Sequence, residues 1–270
     1  MTIRPLERLW EAEGLPTFEL PAELGELYGG PLGFEEPRVF ANFVSTADGV
    51  VAIPSVPKSN RLIAAGSEAD RFVLGLLRAC ADVLVIGRGT LAASPRSTWS
   101  PAEAFPAAAD AFAELRRRLG RSERLEVAVL SRSGLLDLTH PAFAAGAVVI
   151  TTDHGAAEVG GKLPAESVIS LGPSLDPGLT IAQLKNRGHR LILHEGGPHA
   201  IGPFFERRLI DELFLTISPV LAGRDSLDRR LALVEDADLL PGGPLGAKLL
   251  GIRMDGDHVF LRYRLDSDAT

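Results

Sequence analysis

SEADRFVLGLLRACADVLVIGRGT, residues 67–90, carries a helix, a strand and a turn in immediate succession. Phe72, Val73, Leu76 and Leu77 recur at helical spacing and Ser67 stands where an N-cap belongs, which predicts a helix over 68–80. The unbroken apolar run that follows predicts a buried strand over 82–87. It ends in Gly87, Arg88, Gly89 and Thr90, ahead of small helix-forming residues. A strand that turns through glycines into a helix leaves positively polarised N–H groups without intrahelical partners, and such a junction is a seat for an anion.

Outward from this block, apolar strands alternate with helix-length segments, the pattern of an α/β protein with a largely parallel sheet. Strands are predicted at 38–46, 126–131, 147–151, 167–171, 190–194, 211–218 and 257–265. Helices are predicted at 102–119, 179–187 and 197–208. Residues 234–246 read as an irregular loop, and HVFLRYRL (258–265) as an antiparallel edge strand. Residues 1–37 hold Pro5, Pro16, Pro21, Pro31 and Pro37, so they are expected to form a proline-rich arm. A short amphipathic turn around Leu6, Leu9 and Trp10 reads either as a merely packed extension or as an element that docks on the body or on a second subunit. The main domain is expected over 38–270.

A second junction of the same kind lies in RLILHEGGPHAIGPFFERRLIDELFL (190–215), where an apolar strand runs through Glu195, Gly196 and Gly197 into a helix opened by Pro198. Two such junctions on parallel strands face one crevice at the carboxyl edge of a sheet, where a diphosphate is held. GRGTLA also fits the loose dinucleotide pattern G-x-G-x-x-G/A. The acid that a Rossmann dehydrogenase places after its next strand is missing, since that strand ends at Leu130, Ser131 and Arg132 and Asp110 falls in an alanine-rich helix.

Composition narrows the class further. With 46% hydrophobic residues the chain has material for a sizeable core, and a formal charge of −7 argues against a nucleic-acid partner. Cys80 is the single cysteine, which leaves no disulfide framework or cysteine zinc cluster. No run reaches the length of a membrane span and the N-terminus lacks a leader pattern, so a cytoplasmic protein with no membrane partner is expected. His194 and His199 flank the second turn without a third ligand, and no metal is expected.

Three blocks in order, ANFVSTADG (41–49), the 67–90 stretch and LHEGGPHAIGPFFERRLIDELFLTISPVLAG (193–223), resemble the dihydrofolate-reductase-like superfamily and, within it, the pyrimidine reductase domain of riboflavin biosynthesis. The resemblance covers roughly 38 to 265. It implies a three-layer α/β/α sandwich with a mixed, mostly parallel sheet, usually dimeric, working as an NADPH-dependent reductase on a small heterocyclic, pyrimidine-derived substrate. Gly87, Gly89 and Thr90 match the first phosphate-contacting turn; Gly196 and Gly197 match the second. Arg88, with Ser131 and Arg132, matches the places that take the 2′-phosphate distinguishing NADPH from NADH, for which a guanidinium supplies paired charge-assisted donors.

On the substrate side, the resemblance puts Asp70, Glu195 and Asp48 forward for proton delivery and substrate orientation. Each also has a structural reading: Asp48 as a turn residue, Asp70 as an acid in a helix's first turn, Glu195 as a solvated strand end. Arg78 matches an arginine used on a phosphorylated substrate. The motif ADDP-LT-R of the riboflavin reductases is replaced by AASPRSTWSP (92–101), which loses both aspartates and the last arginine. Arg96 is a substitute cation at another offset, and Trp99 a surface for stacking a flat ring. Two alternatives stay open: a dihydrofolate-type pterin reductase, and an NADPH-binding module that has lost catalysis.

Overall fold

The computed structural model describes residues 3–56, 58–225, 227–241 and 243–266. Its elements, in chain order, are β1 (Glu7–Glu11), α1 (Ala22–Tyr28), β2 (Arg38–Thr46), α2 (Ser59–Ile63), α3 (Glu68–Cys80), β3 (Val83–Gly87), α4 (Arg88–Ala93), α5 (Pro101–Ala104), α6 (Ala109–Arg118), β4 (Glu126–Ser131), α7 (Pro141–Ala144), β5 (Val148–Thr151), α8 (Asp153–Val159), β6 (Val168–Ser170), α9 (Pro177–Asn186), β7 (Leu191–His194), α10 (Pro198–Glu206), β8 (Glu212–Ser218), β9 (Ala247–Asp255) and β10 (His258–Leu265). The strands form one sheet in the order β1-β9-β10-β8-β2-β7-β3-β4-β5-β6. From β8 to β6 neighbouring strands are parallel, whereas β10, β9 and β1 continue antiparallel.

Alternation along each strand divides the core in two. Phe40, Leu84, Ile86, Val129, Leu193 and Phe214 face Phe72, Leu76 and Leu77 of α3 and Phe112 and Leu115 of α6. On the other face Val39, Val83, Val85, Ala128 and Ile192 meet Ile181 and Leu184 of α9 and Ile201, Phe204 and Phe205 of α10. The result is an α/β sandwich with a single mixed sheet. Its parallel strands are buried on both faces, which is why they read as solid apolar runs.

α3 begins at the expected cap, with the Ser67 hydroxyl accepting the Asp70 N–H at 3.1 Å. The helix expected over 102–119 is broken: Pro106 ends α5, and α6 starts only at Ala109. β10 is not an edge. It lies between β8 and β9, and β1 forms the margin of that side. β9 escapes the strand pattern because Lys248, Gly251 and Arg253 interrupt its apolar residues, yet the Gly256-Asp257 pair joining it to β10 is a two-residue hairpin turn, with Gly256 at φ 56°.

The stretch expected as an arm adds a strand and a helix to the body. Leu6, Leu24, Tyr28, Leu32 and Phe34 are buried in the α3 side of the core. Two inward-pointing arginines tie it down. Arg253, 1% exposed, lies over the Tyr28 ring at 4.0 Å, donates to the Tyr28 carbonyl and pairs with Glu11 at 2.6 Å. Arg262 bridges Glu212 at 2.8 Å and the Gly33 carbonyl at 2.7 Å. Leu6 packs in the core just ahead of β1, and Trp10 lies in β1 at the sheet margin, paired with Ile252.

Candidate active site

β3 and β7 are adjacent and parallel, so their glycine junctions emerge side by side at the carboxyl edge; the Glu195 N–H donates to the Val85 carbonyl at 2.9 Å. Gly87 is the N-cap of α4 and Gly197 that of α10. A Cβ placed on Gly87 would meet the Ala200 Cβ at 3.0 Å, and one placed on Gly196 would meet the same atom at 3.0 Å. The two junctions, more than a hundred residues apart in sequence, thus close on one residue of α10.

Gly89 and Gly197 differ from that pair. Neither has a positive φ, and beyond its chain neighbours and, for Gly89, its own helix backbone, no atom lies within 4 Å of the point a Cβ would occupy. Neither backbone conformation nor packing demands glycine at Gly89, where the absence of a side chain costs helix stability. What the bare backbone provides is close approach to the amide groups of a helix start.

Arg88 follows Gly87 at the end of β3, and Arg132 follows Ser131 at the end of β4, the neighbouring strand. Both arginines are exposed and, among the described residues, neither has an ion-pair partner. Ser131 itself is buried; its hydroxyl accepts the Gly134 N–H at 3.2 Å and its carbonyl accepts the Thr151 hydroxyl at 2.6 Å. Its contribution is to fix the turn that presents Arg132, whose carbonyl accepts the Thr152 hydroxyl at 2.9 Å.

Below the second junction, on the α3 side of the sheet, lies a pair of charges. Arg78 Nη2 and Nε donate to Glu195 Oε2 at 2.6 and 3.1 Å, and Nε reaches Oε1 at 3.2 Å. Both side chains are 8% exposed. Asp70 stands two turns earlier on α3. Burial pushes its carboxyl above the usual aspartate range, the Thr216 hydroxyl on β8 and His258 on β10 draw it part of the way back, and the charge of Glu195 adds to the rise. Asp70, Glu195, Arg78 and Thr216 form one cluster beside the crevice.

The other expected substrate residues lie differently. Asp48 accepts from the Thr46 hydroxyl at 2.5 Å, the Ala222 N–H at 3.0 Å and the Gly223 N–H at 2.8 Å, and these bonds lower its carboxyl to about 2. It is a fixed acceptor that ties the β2 turn to residues 222–224, and the same bonds favour its ionised form. Trp99 offers no open face: it is 3% exposed, with its ring stacked on His140 at 5.4 Å, and it sits in the core at a left-handed φ of 54° with the Ser97 hydroxyl accepting its N–H. Arg96 is exposed on the loop before it.

His194 and His199 point to different surroundings. His194 is fully buried, its ring edge-on to Phe204 at 4.7 Å, with Nδ1 accepting the Gly196 N–H at 3.1 Å. Burial lowers its pKa to about 3. His199 is exposed and pairs with Asp236 at 2.8 Å. Among the described residues no group of three metal-binding side chains comes together. Sequence reasoning missed Ala200 and Thr216. A polar residue inside the apolar run ELFLTI was a signal for Thr216; nothing local marks Ala200.

Residues 37–240 match the family model described as the RibD C-terminal domain. The chain belongs to that family. No curated protein matches this RibD C-terminal domain in sequence. Among solved structures, a pyrimidine reductase-like protein from Corynebacterium diphtheriae superposes with a TM-score of 0.66 at 21% identity, covering 86% of this chain and 93% of its own. RibD from Acinetobacter baumannii gives 0.63 at 22% identity over 86% of this chain. A Thermotoga maritima enzyme named as a diaminohydroxyphosphoribosylaminopyrimidine deaminase and 5-amino-6-(5-phosphoribosylamino)uracil reductase gives 0.60 at 19% over 85%. The RibD C-terminal domain described here spans 58% and 56% of those last two chains. No helix among its described residues is long and apolar enough to cross a membrane.

Proposed function

We propose that the protein is an NADPH-dependent reductase that delivers hydride to a C=N carbon of a pyrimidine-derived substrate of the riboflavin-pathway type. The observation that carries this reading is the convergence of the Gly87 and Gly196 junctions on Ala200, directly beside the Asp70–Glu195–Arg78 cluster. A cofactor seat and an acid site share one edge of the sheet. Membership in the RibD C-terminal domain family supports the reaction class.

The residues fit the cofactor. Gly87, Gly89, Thr90, Gly196 and Gly197 would hold its diphosphate through backbone N–H groups, with the open space over Gly89 and Gly197 admitting it. Arg88 and Arg132, exposed and unpaired among the described residues, would take the 2′-phosphate by charge-assisted bonds. NADPH supplies the hydride when bound.

On the substrate side Asp70, kept towards its protonated form by burial, holds a proton for the nitrogen of the C=N bond, which gains charge as hydride reaches the carbon. Glu195 accepts hydrogen bonds from amino groups of the heterocycle while remaining fixed by Arg78. A homodimer is the assembly this reading carries with it. The test is oxidation of NADPH in the presence of 5-amino-6-(5-phosphoribosylamino)uracil, followed at 340 nm beside NADH. Turnover with NADPH preferred is expected; tight cofactor binding without turnover on this substrate or on dihydrofolate would speak for a binding module.

A further inference from the structure

We infer that His258 is a positioning residue for Asp70: from the turn of the β9–β10 hairpin it holds the backbone that opens α3, and so fixes where the Asp70 carboxyl stands in the crevice. This rests on the reductase reading above, because that reading gives Asp70 the proton. Strand register carries the first step. Phe260 pairs with Thr216 across β10 and β8, and side chains two apart share a face of a strand. His258 therefore stands on the same α3 side of the sheet as Thr216. Two neighbouring strands meet the first turn of α3, one with a hydroxyl and one with an imidazole.

The second step runs through the Ala64 carbonyl. His258 Nε2 lies 3.0 Å from it, and because a carbonyl only accepts, Nε2 carries the proton of that bond. The same oxygen accepts the Ser67 N–H at 3.0 Å. Ala64 closes α2, and between it and Ser67 the chain turns through Ala65 and Gly66, left-handed at φ 49° and 69°. Left-handed backbone is disfavoured at a residue that carries a Cβ, and both turn residues are exposed, so the core does not hold this turn. The imidazole does. Ser67 in turn caps α3 by accepting the Asp70 N–H at 3.1 Å. His258, the Ala64 carbonyl, the Ser67 cap and Asp70 form one line, and it starts on a hairpin paired into the sheet along β10.

The surroundings of Asp70 explain why its place matters. It faces the Thr216 hydroxyl on β8, His258 on β10 and Glu195 on β7, the last paired with Arg78 of the same helix. The hydroxyl and the imidazole favour its ionised form, whereas burial and Glu195 oppose it. A shift of the helix start alters all of these separations together with the distance to the substrate nitrogen, and a displacement of about 1 Å is enough to cost on the order of 100-fold in rate.

The test compares His258→Gln, whose amide N–H can donate to the Ala64 carbonyl, with His258→Leu, which fills the space without a donor. Each is assayed alone and combined with Asp70→Asn, by NADPH oxidation with 5-amino-6-(5-phosphoribosylamino)uracil. His258→Leu should lower kcat by about 10- to 100-fold while KM and NADPH affinity stay within about twofold of wild type. His258→Gln should recover most of that loss, and in the Asp70→Asn background the leucine should cost nothing further. A wild-type kcat in His258→Leu, or the same fall with and without Asp70, overturns the proposal.

A second readout needs no turnover and no leucine variant. In infrared difference spectra between each protein and its Asp70→Asn counterpart, the Asp70 carboxyl should titrate at higher pH in His258→Gln than in wild type, because one of the two groups that draw its pKa down is gone. Titration at the wild-type pH overturns the proposal even where no compound is reduced. A shifted titration in a protein that leaves the uracil compound untouched supports the place of His258 beside Asp70 and overturns the choice of substrate.

Discussion

Alanine at Gly89 separates the needs of the fold from those of the ligand. Gly89 lies in the first turn of α4, with ordinary helical φ and open space where the new methyl would stand. Gly→Ala at such a site reduces the freedom of the unfolded chain and stabilises by about 0.4–1 kcal/mol, which for a chain of this size raises Tm by roughly 1–4 °C. The same methyl would stand between the helix-start amides and a bound phosphate. Losing one hydrogen bond to a charged group costs about 1.5–3 kcal/mol, a weakening of NADPH binding by roughly 10- to 150-fold.

Alanine at Gly196 is the control of opposite sign. Its Cβ would come within 2.6 Å of His194 Cε1, on a ring that is buried and backed by Phe204 and so has no room to yield. A cost of about 1–3 kcal/mol and a lower Tm are expected. Thermal melts and NADPH fluorescence titrations of both variants are sufficient. If Gly89→Ala melts higher yet binds NADPH within twofold of wild type, no phosphate approaches that turn and the cofactor assignment is wrong.

Arg88→Ala and Arg132→Ala should each lower NADPH affinity by about tenfold while leaving NADH binding nearly unchanged, since only the 2′-phosphate engages a guanidinium there; an unaltered ratio in equilibrium titrations would remove both residues from the cofactor site. Asp70→Asn should reduce kcat by about 100-fold or more. In wild type kcat/KM should fall as pH rises through the elevated Asp70 pKa, a limb that the variant lacks. Because the folded-state pKa of Asp70 is raised, its favourable contribution to stability is present below the unfolded value of 3.8 and lost as pH rises, so Asp70→Asn should melt above wild type at pH 7. His194 is the opposite case: its pKa is depressed from 6.5 to about 3, so the unfolded chain binds the extra proton within that window. Wild type should lose stability on acidification from pH 6.5 towards 3, at up to about 1.4 kcal/mol per pH unit, and denaturation curves of His194→Leu should lack this slope.

The two glycine junctions were legible because they are local: an apolar strand, glycines and a helix start follow one another within about ten residues, and the exposed amides of a helix start are a property of the backbone alone. The same holds for the cap at Ser67 and the parallel strands. Family resemblance then put Asp70, Glu195 and Arg78 forward. The sequence could not say that Arg78 faces Glu195, because a cation in a last helical turn and an acid at a strand end each have a sufficient local explanation.

Tertiary structure decided what depends on distance. Trp99 reads as a stacking surface until His140 and the core are brought against it, and Asp48 reads as an acid until the 222–223 amides hold its carboxylate. Arg253 and Arg262 break the apolar alternation of β9 and β10, but they point inward to hold the N-terminal segment, a contact across more than 220 residues that no local pattern contains. Local chain chemistry thus determined the parallel strands, the helix starts at the two glycine junctions and the polarity of each junction. Which junctions meet, and which charges neutralise each other, was set by strand order, since only the insertion of β7 beside β3 brings Gly196 to Gly87 and Glu195 to Arg78.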